Sequence, residues 1–237
     1  MATSSAPSFT THASLSKFAN IPQNDLLRTL QARTSKHLDG LATGGVVFQD
    51  YPPMPTSTSS PTSSPSPRIL LVQRAPTDSM PLRWETPGGA VDDTDADILV
   101  GACREVVEEV GLVAASVDAL VAYRGRKGQG IGDAEEDDVL EGGYMFHTRS
   151  GKTIVKFTFV IRAQKKEEEE GEDVKVRLDP DEHVDYLWAT EEECRSRKVA
   201  RKSGREGDTV DIEFTTEAQE ALLMSAFAWF KENVAPS

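Results

Sequence analysis

Short apolar runs separated by polar stretches predict several β-strands along the chain. Segments 41–49 and Arg68–Arg74, with the sequences LATGGVVFQ and RILLVQR, are short and rich in aliphatic or β-branched residues, as strands are. Four later segments share this character: 120–124, 144–147, 156–162 and 184–189. We therefore expect a β-sheet whose strands come from both halves of the chain.

Two segments instead have the period of an amphipathic helix. The first covers 97–111 and the second covers 216–234. On a helical wheel, the apolar stripe of the first helix consists of Leu99, Cys103, Val106, Val107 and Val110. A different face of the same helix carries the three carboxylates Glu105, Glu108 and Glu109. The order of strands, helix, strands and helix favours a mixed sheet that is covered by helices.

Three regions lack such a pattern. Residues 1–37 are rich in Ser, Thr and Ala, and we expect an N-terminal tail that is partly disordered or forms a short helix after Asn24. Residues 52–67 contain six prolines and few apolar side chains, so a disordered loop is expected over 50–67. The run KKEEEEGED belongs to an acidic loop expected over 163–176, and one domain is expected over 38–237.

Composition and charge narrow the classes of function. The 237 residues contain 26 basic and 39 acidic side chains, for a net charge of −13, which argues against duplex nucleic acid as a partner. There is no apolar run of about 20 residues to cross a bilayer, and the N-terminus lacks the order of a secretory signal. We expect no membrane partner and a cytoplasmic location. The alternative is mitochondrial, because the tail mildly resembles a transit peptide.

The richest chemistry lies around the first predicted helix. Pro87, Gly88 and Gly89 form a loop whose backbone can approach a ligand closely, and Gly111 can end the helix in a left-handed conformation. Gly101 falls on the acidic face, where the missing side chain leaves room for ions or phosphate. Like charges about 4 Å apart repel by only about 1 kcal/mol in water, so these acids require cations only if they line a pocket.

The whole stretch resembles the Nudix box, G-x5-E-x7-R-E-U-x-E-E-x-G-U, in which U is aliphatic. The matching residues are Gly89, Arg104, Glu105, Val106, Glu108, Glu109, Gly111 and Leu112. The distance from Gly89 to Arg104 is one residue longer than in the box, and Asp95 or Asp97 replaces the isolated Glu. We favour Asp97, because it adjoins the start of the helix. The resemblance implies an α+β fold, a Nudix-like α/β/α sandwich with a mixed central β-sheet.

The resemblance also implies a chemistry. Nudix enzymes cleave a nucleoside diphosphate linked to another moiety, by attack of water on phosphorus with Mg²⁺ or Mn²⁺ as the cofactor. The implied metal ligands are Glu105, Glu108, Glu109 and the backbone carbonyl of Gly89. Arg104 is expected to orient a glutamate, and Glu182 is the candidate general base or extra ligand. The alternative is a Nudix-fold module that binds a nucleotide or regulates without hydrolysis. Many relatives are dimers, so a homodimer is possible.

Overall fold

The computed structural model describes residues 9–49, 66–123, 139–164, 174–200 and 209–234. Most of the two loops expected over 50–67 and 163–176 therefore lies outside the described residues. The strands are β1 (Thr10–Thr11), β2 (Gly40–Val47), β3 (Arg68–Arg74), β4 (Trp84–Glu85), β5 (Ala114–Leu120), β6 (Val139–Leu140), β7 (Gly143–His147), β8 (Thr153–Ala163), β9 (His183–Thr190), β10 (Lys198–Ala200) and β11 (Thr209–Asp211). The helices are α1 (Gln23–Gln31), α2 (Ile98–Val110), α3 (Glu191–Ser196) and α4 (Glu217–Asn233), with a 3₁₀ turn over Ala13–Leu15.

The long strand β8 organises the largest sheet. It pairs in parallel with β2 on one edge and antiparallel with β5 and β7 on the other edge. β1 extends this sheet beside β5, and β6 extends it beside β7. A second, antiparallel sheet consists of β3 between β4 and β9, and β10 pairs with β11. The largest sheet contains both parallel and antiparallel pairs and is therefore mixed, as the sequence predicts.

The sheets lie between two layers of helices. Side chains of β8 alternate between its faces, as the pleat requires, so that Phe157 and Phe159 join the apolar cluster that contains α2. Val160 joins the opposite cluster, to which α4 contributes Phe227 and Phe230. β3 divides its side chains between the two clusters in the same way. This arrangement confirms the predicted α/β/α sandwich.

One predicted strand was placed wrongly. We expected a strand over 120–124, but the described strand β5 covers Ala114–Leu120 and residues 121–123 belong to no strand. The pairing of β5 with β8 shifts register at two places, between Ala114 and Ser116 and between Val117 and Ala119. Because these irregularities break the alternation of buried and exposed side chains, the segment has no clear period of two.

The N-terminal segment from residue 9 packs onto the sandwich. α1 forms close to the expected position, and its Leu26 and Leu30 are buried together with Leu15 and Phe18. The ring of Phe18 lies edge-on to those of Phe157 and Phe159, with centroids 5.2 Å and 5.4 Å away. Among the described residues, no helix combines the length and the apolar character needed to cross a bilayer.

Candidate active site

The glycine loop runs along the free edge of β2. The N–H of Thr43 donates to the carbonyl of Gly89, and the N–H of Gly45 donates to that of Pro87, both at 2.9 Å. Gly88 has a φ of 151°, and a Cβ there would lie 2.4 Å from the Thr43 carbonyl oxygen. Only glycine fits this approach. The loop is thereby fixed beside α2, and the N–H of Gly88 donates to the carboxylate of Glu109 at 2.9 Å.

Helix α2 begins and ends as predicted, but its acidic face is not uniform. Glu105 and Glu109 are only 8% and 4% exposed, because the glycine loop covers them, whereas the side chain of Glu108 is 56% exposed. The predicted core position Cys103 is buried, and burial raises the pKa of its thiol to about 12. The helix therefore presents two buried acids and one surface acid.

The two buried acids lie in an environment that disfavours their negative charge. Burial raises the pKa of Glu109 to about 9, and the charges of Glu105, Glu85 and Glu182 act in the same direction against the Gly88 hydrogen bond. Burial also raises the pKa of Glu105, although Arg104 opposes the shift. A divalent cation would compensate this repulsion, and carboxylate oxygens are the ligands that Mg²⁺ and Mn²⁺ prefer. The residues therefore fit the implied metal.

Arg104 binds the acids around it. Its Nε and Nη2 donate to the two carboxylate oxygens of Asp95 at 3.0 Å and 2.9 Å. Its Nη1 donates to Glu105 at 2.9 Å and to Glu108 at 2.8 Å, and Nη2 also reaches the Ala90 carbonyl at 3.0 Å. The hydrogen bonds that Arg104 donates to Asp95 are the largest cause of the raised pKa of Arg104. The guanidinium is saturated, which agrees with the predicted orienting role.

The two aspartates that compete for the position of the box glutamate have different partners. Asp97 caps α2 by accepting the N–H groups of Leu99 and Val100 at 2.9 Å, and it also accepts the N–H of Asn20 at 2.7 Å. Asp95 lies six residues after Gly89, as the box requires, and is the acid that binds Arg104. The geometry favours Asp95 over our choice of Asp97, and the inserted residue lies between Asp95 and Arg104.

The expectation that Gly101 leaves room for ions was wrong. A Cβ at Gly101 would lie 2.9 Å from a carboxylate oxygen of Asp95. The space beside this glycine is therefore filled by the aspartate that holds Arg104. The space beside Gly89 is likewise filled by a carboxylate, because a Cβ at Gly89 would lie 2.9 Å from both carboxylate oxygens of Glu105.

The loop before β9 brings Glu182 to the helix. The N–H of Asp179 donates to the Glu109 carbonyl at 3.0 Å, and that of Ala75 donates to the Glu182 carbonyl at 2.8 Å. Through these contacts, ligand atoms of Glu109, Glu182 and His183 all lie within 4.8 Å of one another. Glu182 is exposed at the rim and His183 is buried. The structure thus places the predicted Glu182 beside Glu109.

Two residues of this cluster were missed by sequence reasoning. His183 directly follows the predicted Glu182, which was the one signal for it, and the pairing of β9 with β3 helps to hold it here. Glu85 is 7% exposed, and its carboxylate binds Arg74 and lies 4.0 Å from Nε2 of His183. Its position three residues before Gly88 was the one signal in the sequence that could have indicated that Glu85 lies at the site.

Arg74, Arg83, Arg124 and Arg126 are basic residues that could hold phosphate, and the two described ones are bound to acids. Arg74 also binds Asp78 at 2.5 Å, and Arg83 binds Glu213 at 2.8 Å. Arg124 and Arg126 lie outside the described residues. Arginine side chains that already hold acids contribute little free positive charge to a ligand.

Comparison with known proteins agrees with this geometry. The family model described as the NUDIX domain matches residues 62–207, which is more than half of the chain. The chain is 44% identical over 61 residues to the uncharacterized Nudix hydrolase NudL of Cronobacter sakazakii and 43% identical over 61 residues to that of Escherichia coli. Each of these matches covers 24% of this chain and 30% of the relative, so the similarity spans less than a third of those proteins.

The chain also has distant likenesses among solved structures. A MutT Nudix hydrolase from Burkholderia pseudomallei is 17% identical, with a TM-score of 0.46, over 78% of this chain and 95% of that one. A MutT protein from Methanosarcina mazei is 13% identical, with a TM-score of 0.48, over 84% and 100%. The family is established by the match of the domain model and not by these likenesses. On that match, the chain belongs to the Nudix family.

Proposed function

We propose that the protein is a metal-dependent hydrolase that cleaves the diphosphate linkage of a nucleoside diphosphate derivative. The observation that carries the proposal is the approach of the buried Glu109 to Glu182 beside the glycine loop, where the charge of the buried Glu105 also acts on Glu109. Three carboxylates crowded at a partly dry site repel one another strongly unless a cation lies among them or one of them takes up a proton, as the raised pKa of Glu109 shows. A solvated helix face would not need this arrangement.

The acids would hold Mg²⁺ or Mn²⁺. Glu105 and Glu109 are the central ligands in this proposal, with Glu108 at the exposed rim. The carbonyl of Gly89 accepts one hydrogen bond from Thr43 and keeps a second lone pair for the ion. When bound, the metal neutralises charge that develops on the phosphate oxygens and lowers the pKa of a water molecule.

The chain's own residues then position the reactants. Arg104 holds Glu105 and Glu108 in place through its Nη1 and does not contact substrate. A water molecule attacks phosphorus, the bridging P–O bond breaks, and the proton of the water passes to a carboxylate. The exposed Glu182 lies where it can accept that proton or act as an extra ligand.

A screen of nucleoside diphosphate derivatives with Mg²⁺ and Mn²⁺ tests the proposal. Products are identified by mass, and Glu109→Gln and Glu108→Gln are assayed beside the unaltered protein. We expect Glu109→Gln to lower kcat by on the order of 10²-fold or more, the scale seen when an electrostatic group of an active site is removed. Glu108→Gln should lower it less, because its side chain is exposed and bound to Arg104.

The same screen separates the alternative, a module that binds nucleotide without turning it over. Retained nucleotide binding with no cleavage of any derivative would favour that module. Equal turnover by Glu109→Gln and the unaltered protein would contradict the assignment of the buried carboxylate. The intact set of acids favours the enzyme, since a binding module does not require them.

A further inference from the structure

We propose that His183 is a nitrogen ligand of the metal centre and makes that centre prefer Mn²⁺ to Mg²⁺. The proposal rests on the metal centre of the proposed function, not on hydrolysis itself. The glutamates of the Nudix box account for oxygen ligands only. A ring nitrogen among them would change which ion the site selects.

The first support is the distance between the donor atoms. One ligand atom each of Glu109, Glu182 and His183 lie within 4.8 Å of one another. Ligands on opposite sides of an ion with bonds of about 2.1 Å are about 4.2 Å apart, so small side-chain movements would close the three atoms around it. The exposed Glu182 is free to make such a movement.

The second support is the unpartnered nitrogen of a buried ring. His183 is 3% exposed, and within the part of the chain that the structure describes its Nδ1 has no hydrogen-bond partner. Buried polar atoms are nearly always satisfied, so an orphaned one indicates a place for an ion, a ligand or an ordered water. The ring lies in the same cluster as two carboxylates that would share the ion.

The third support is the environment of the other ring nitrogen. Nε2 of His183 lies 4.0 Å from Oε1 of Glu85, which is itself held by Arg74. Histidine ligands typically direct the nitrogen that does not bind metal towards a carboxylate, which fixes the ring and raises its basicity. Glu85 lies on the side of the His183 ring where such a carboxylate is found, at 4.0 Å from Nε2.

A purely structural role of the His183 ring does not explain why a buried imidazole occupies this position. The loop that carries His183 is already held by its backbone, because the N–H of His183 donates to the Asp179 carbonyl at 2.9 Å. That contact does not need an imidazole. A ring kept only for packing would also leave Nδ1 unsatisfied, at a cost that an apolar side chain avoids.

The consequence is a choice of metal. Mg²⁺ binds oxygen ligands and retains its waters, whereas first-row transition ions gain from an imidazole nitrogen. We expect the metal-free full chain to bind Mn²⁺ at least about tenfold more tightly than Mg²⁺ in calorimetric titrations. His183→Gln should weaken Mn²⁺ binding by about 10–100-fold, the range for perturbed metal ligation, and should change Mg²⁺ binding much less. His37→Gln, an exposed histidine far from the cluster in sequence, is the matched control and should change neither.

A spectroscopic measurement needs no variant. Pulsed electron paramagnetic resonance of the Mn²⁺-loaded chain, with histidine labelled by ¹⁵N, should show coupling to a directly bound imidazole nitrogen. That coupling should persist in His37→Gln and vanish in His183→Gln. Bound Mn²⁺ without nitrogen coupling, or no Mn²⁺ binding at all, would overturn the inference.

The outcomes also distinguish this inference from the proposed function. Nitrogen coupling without hydrolysis of any diphosphate would support His183 as a ligand and count against the enzyme. Hydrolysis without nitrogen coupling would retain the enzyme and overturn the ligand. Equal Mn²⁺ affinity in His183→Gln and the unaltered chain would also overturn the assignment of His183 as a ligand.

Discussion

At the scale of single residues, Arg104 connects most of the acids around α2. One guanidinium donates to Asp95, Glu105, Glu108 and the Ala90 carbonyl at once. A lysine has no planar fork with which to bind Asp95 through two donors. The positive charge of Arg104 is thus used within the protein, and it fixes the directions of two of the acids.

Gly89→Ala tests whether Glu105 must occupy its place. The new methyl group would lie 2.9 Å from both carboxylate oxygens of Glu105, so that side chain must move away. A displacement of about 1 Å at an active site can lower activity by on the order of 10²-fold. We expect this loss in diphosphate hydrolysis, with a folded protein by circular dichroism. Full activity would show that Glu105 is not a required ligand.

Some of the site residues could be predicted from the sequence. The helical wheel correctly put Glu105, Glu108 and Glu109 on one face, because that depends only on the period of the helix. It could not show that two of them are buried, since the covering loop is held by hydrogen bonds to β2. It also missed His183, although this residue directly follows the predicted Glu182, because a single histidine forms no pattern of its own.

At the scale of elements, α2 is positioned by its two ends and by a close approach to the sheet. Asp97 caps its start, and Gly111, with a φ of 70°, ends it. A Cβ at Gly45 of β2 would lie 2.5 Å from Val106, so the missing side chain lets the helix lie close to the strand. These three residues determine where the acids lie.

Asp97→Ala tests the start of that helix. The substitution removes acceptors for two N–H groups of α2 and for the N–H of Asn20. Loss of an N-cap typically costs about 0.5–2 kcal/mol of the free energy of unfolding. We expect a loss at the upper end of this range in urea denaturation, and almost none for the neighbouring exposed Asp93→Ala. Equal effects of the two substitutions would argue against the cap.

Phe18→Ala tests whether the N-terminal segment is part of the core. The ring of Phe18 is 1% exposed and contacts Phe157 and Phe159 of β8. Removal of a buried phenylalanine ring typically costs about 3–5 kcal/mol. Denaturant unfolding should show a loss of this size, whereas the exposed Thr29→Ala should change stability little. A negligible loss would mean that the segment packs only weakly.

The longer elements were mostly predictable, whereas α3 and the short strands β1, β4, β6, β10 and β11 were not predicted. β3 has the predicted bounds, and α2 and α4 differ from the predictions only at their terminal residues. Their apolar periods are regular, and local sequence determines a regular period. The irregular β5 was misplaced because its pairing with β8, and not its own pattern, defines it.

At the scale of the whole molecule, charge is the main constraint on an anionic substrate. The net charge is −13, and four of the acidic residues, Glu85, Glu105, Glu109 and Glu182, lie at the site. Arg74 and Arg104 near these acids are already bound to carboxylates. Lys156 differs, because no hydrogen bond or ion pair joins its ammonium group to another described residue.

Lys156→Met tests whether this cation attracts substrate phosphate. Its Cε lies 3.3 Å from the position that a Cβ at Gly44 would take, close to Pro87 of the glycine loop. A charge-assisted hydrogen bond is worth about 1.5–3 kcal/mol, so KM should rise by about tenfold or more while kcat changes little. The exposed Lys152→Met is the control. An unchanged KM in Lys156→Met would exclude this role.

If water attacks phosphorus within the acidic site, hydrolysis in H₂¹⁸O must place the label on a phosphate product. With a diphosphate substrate that the protein cleaves and with Mn²⁺ present, mass spectrometry should find one ¹⁸O atom in one of the two phosphate products. Glu109→Gln should form this labelled product on the order of 10²-fold more slowly. A product without ¹⁸O on phosphate would contradict attack of water on phosphorus, and an equal rate for Glu109→Gln would contradict the role of that carboxylate.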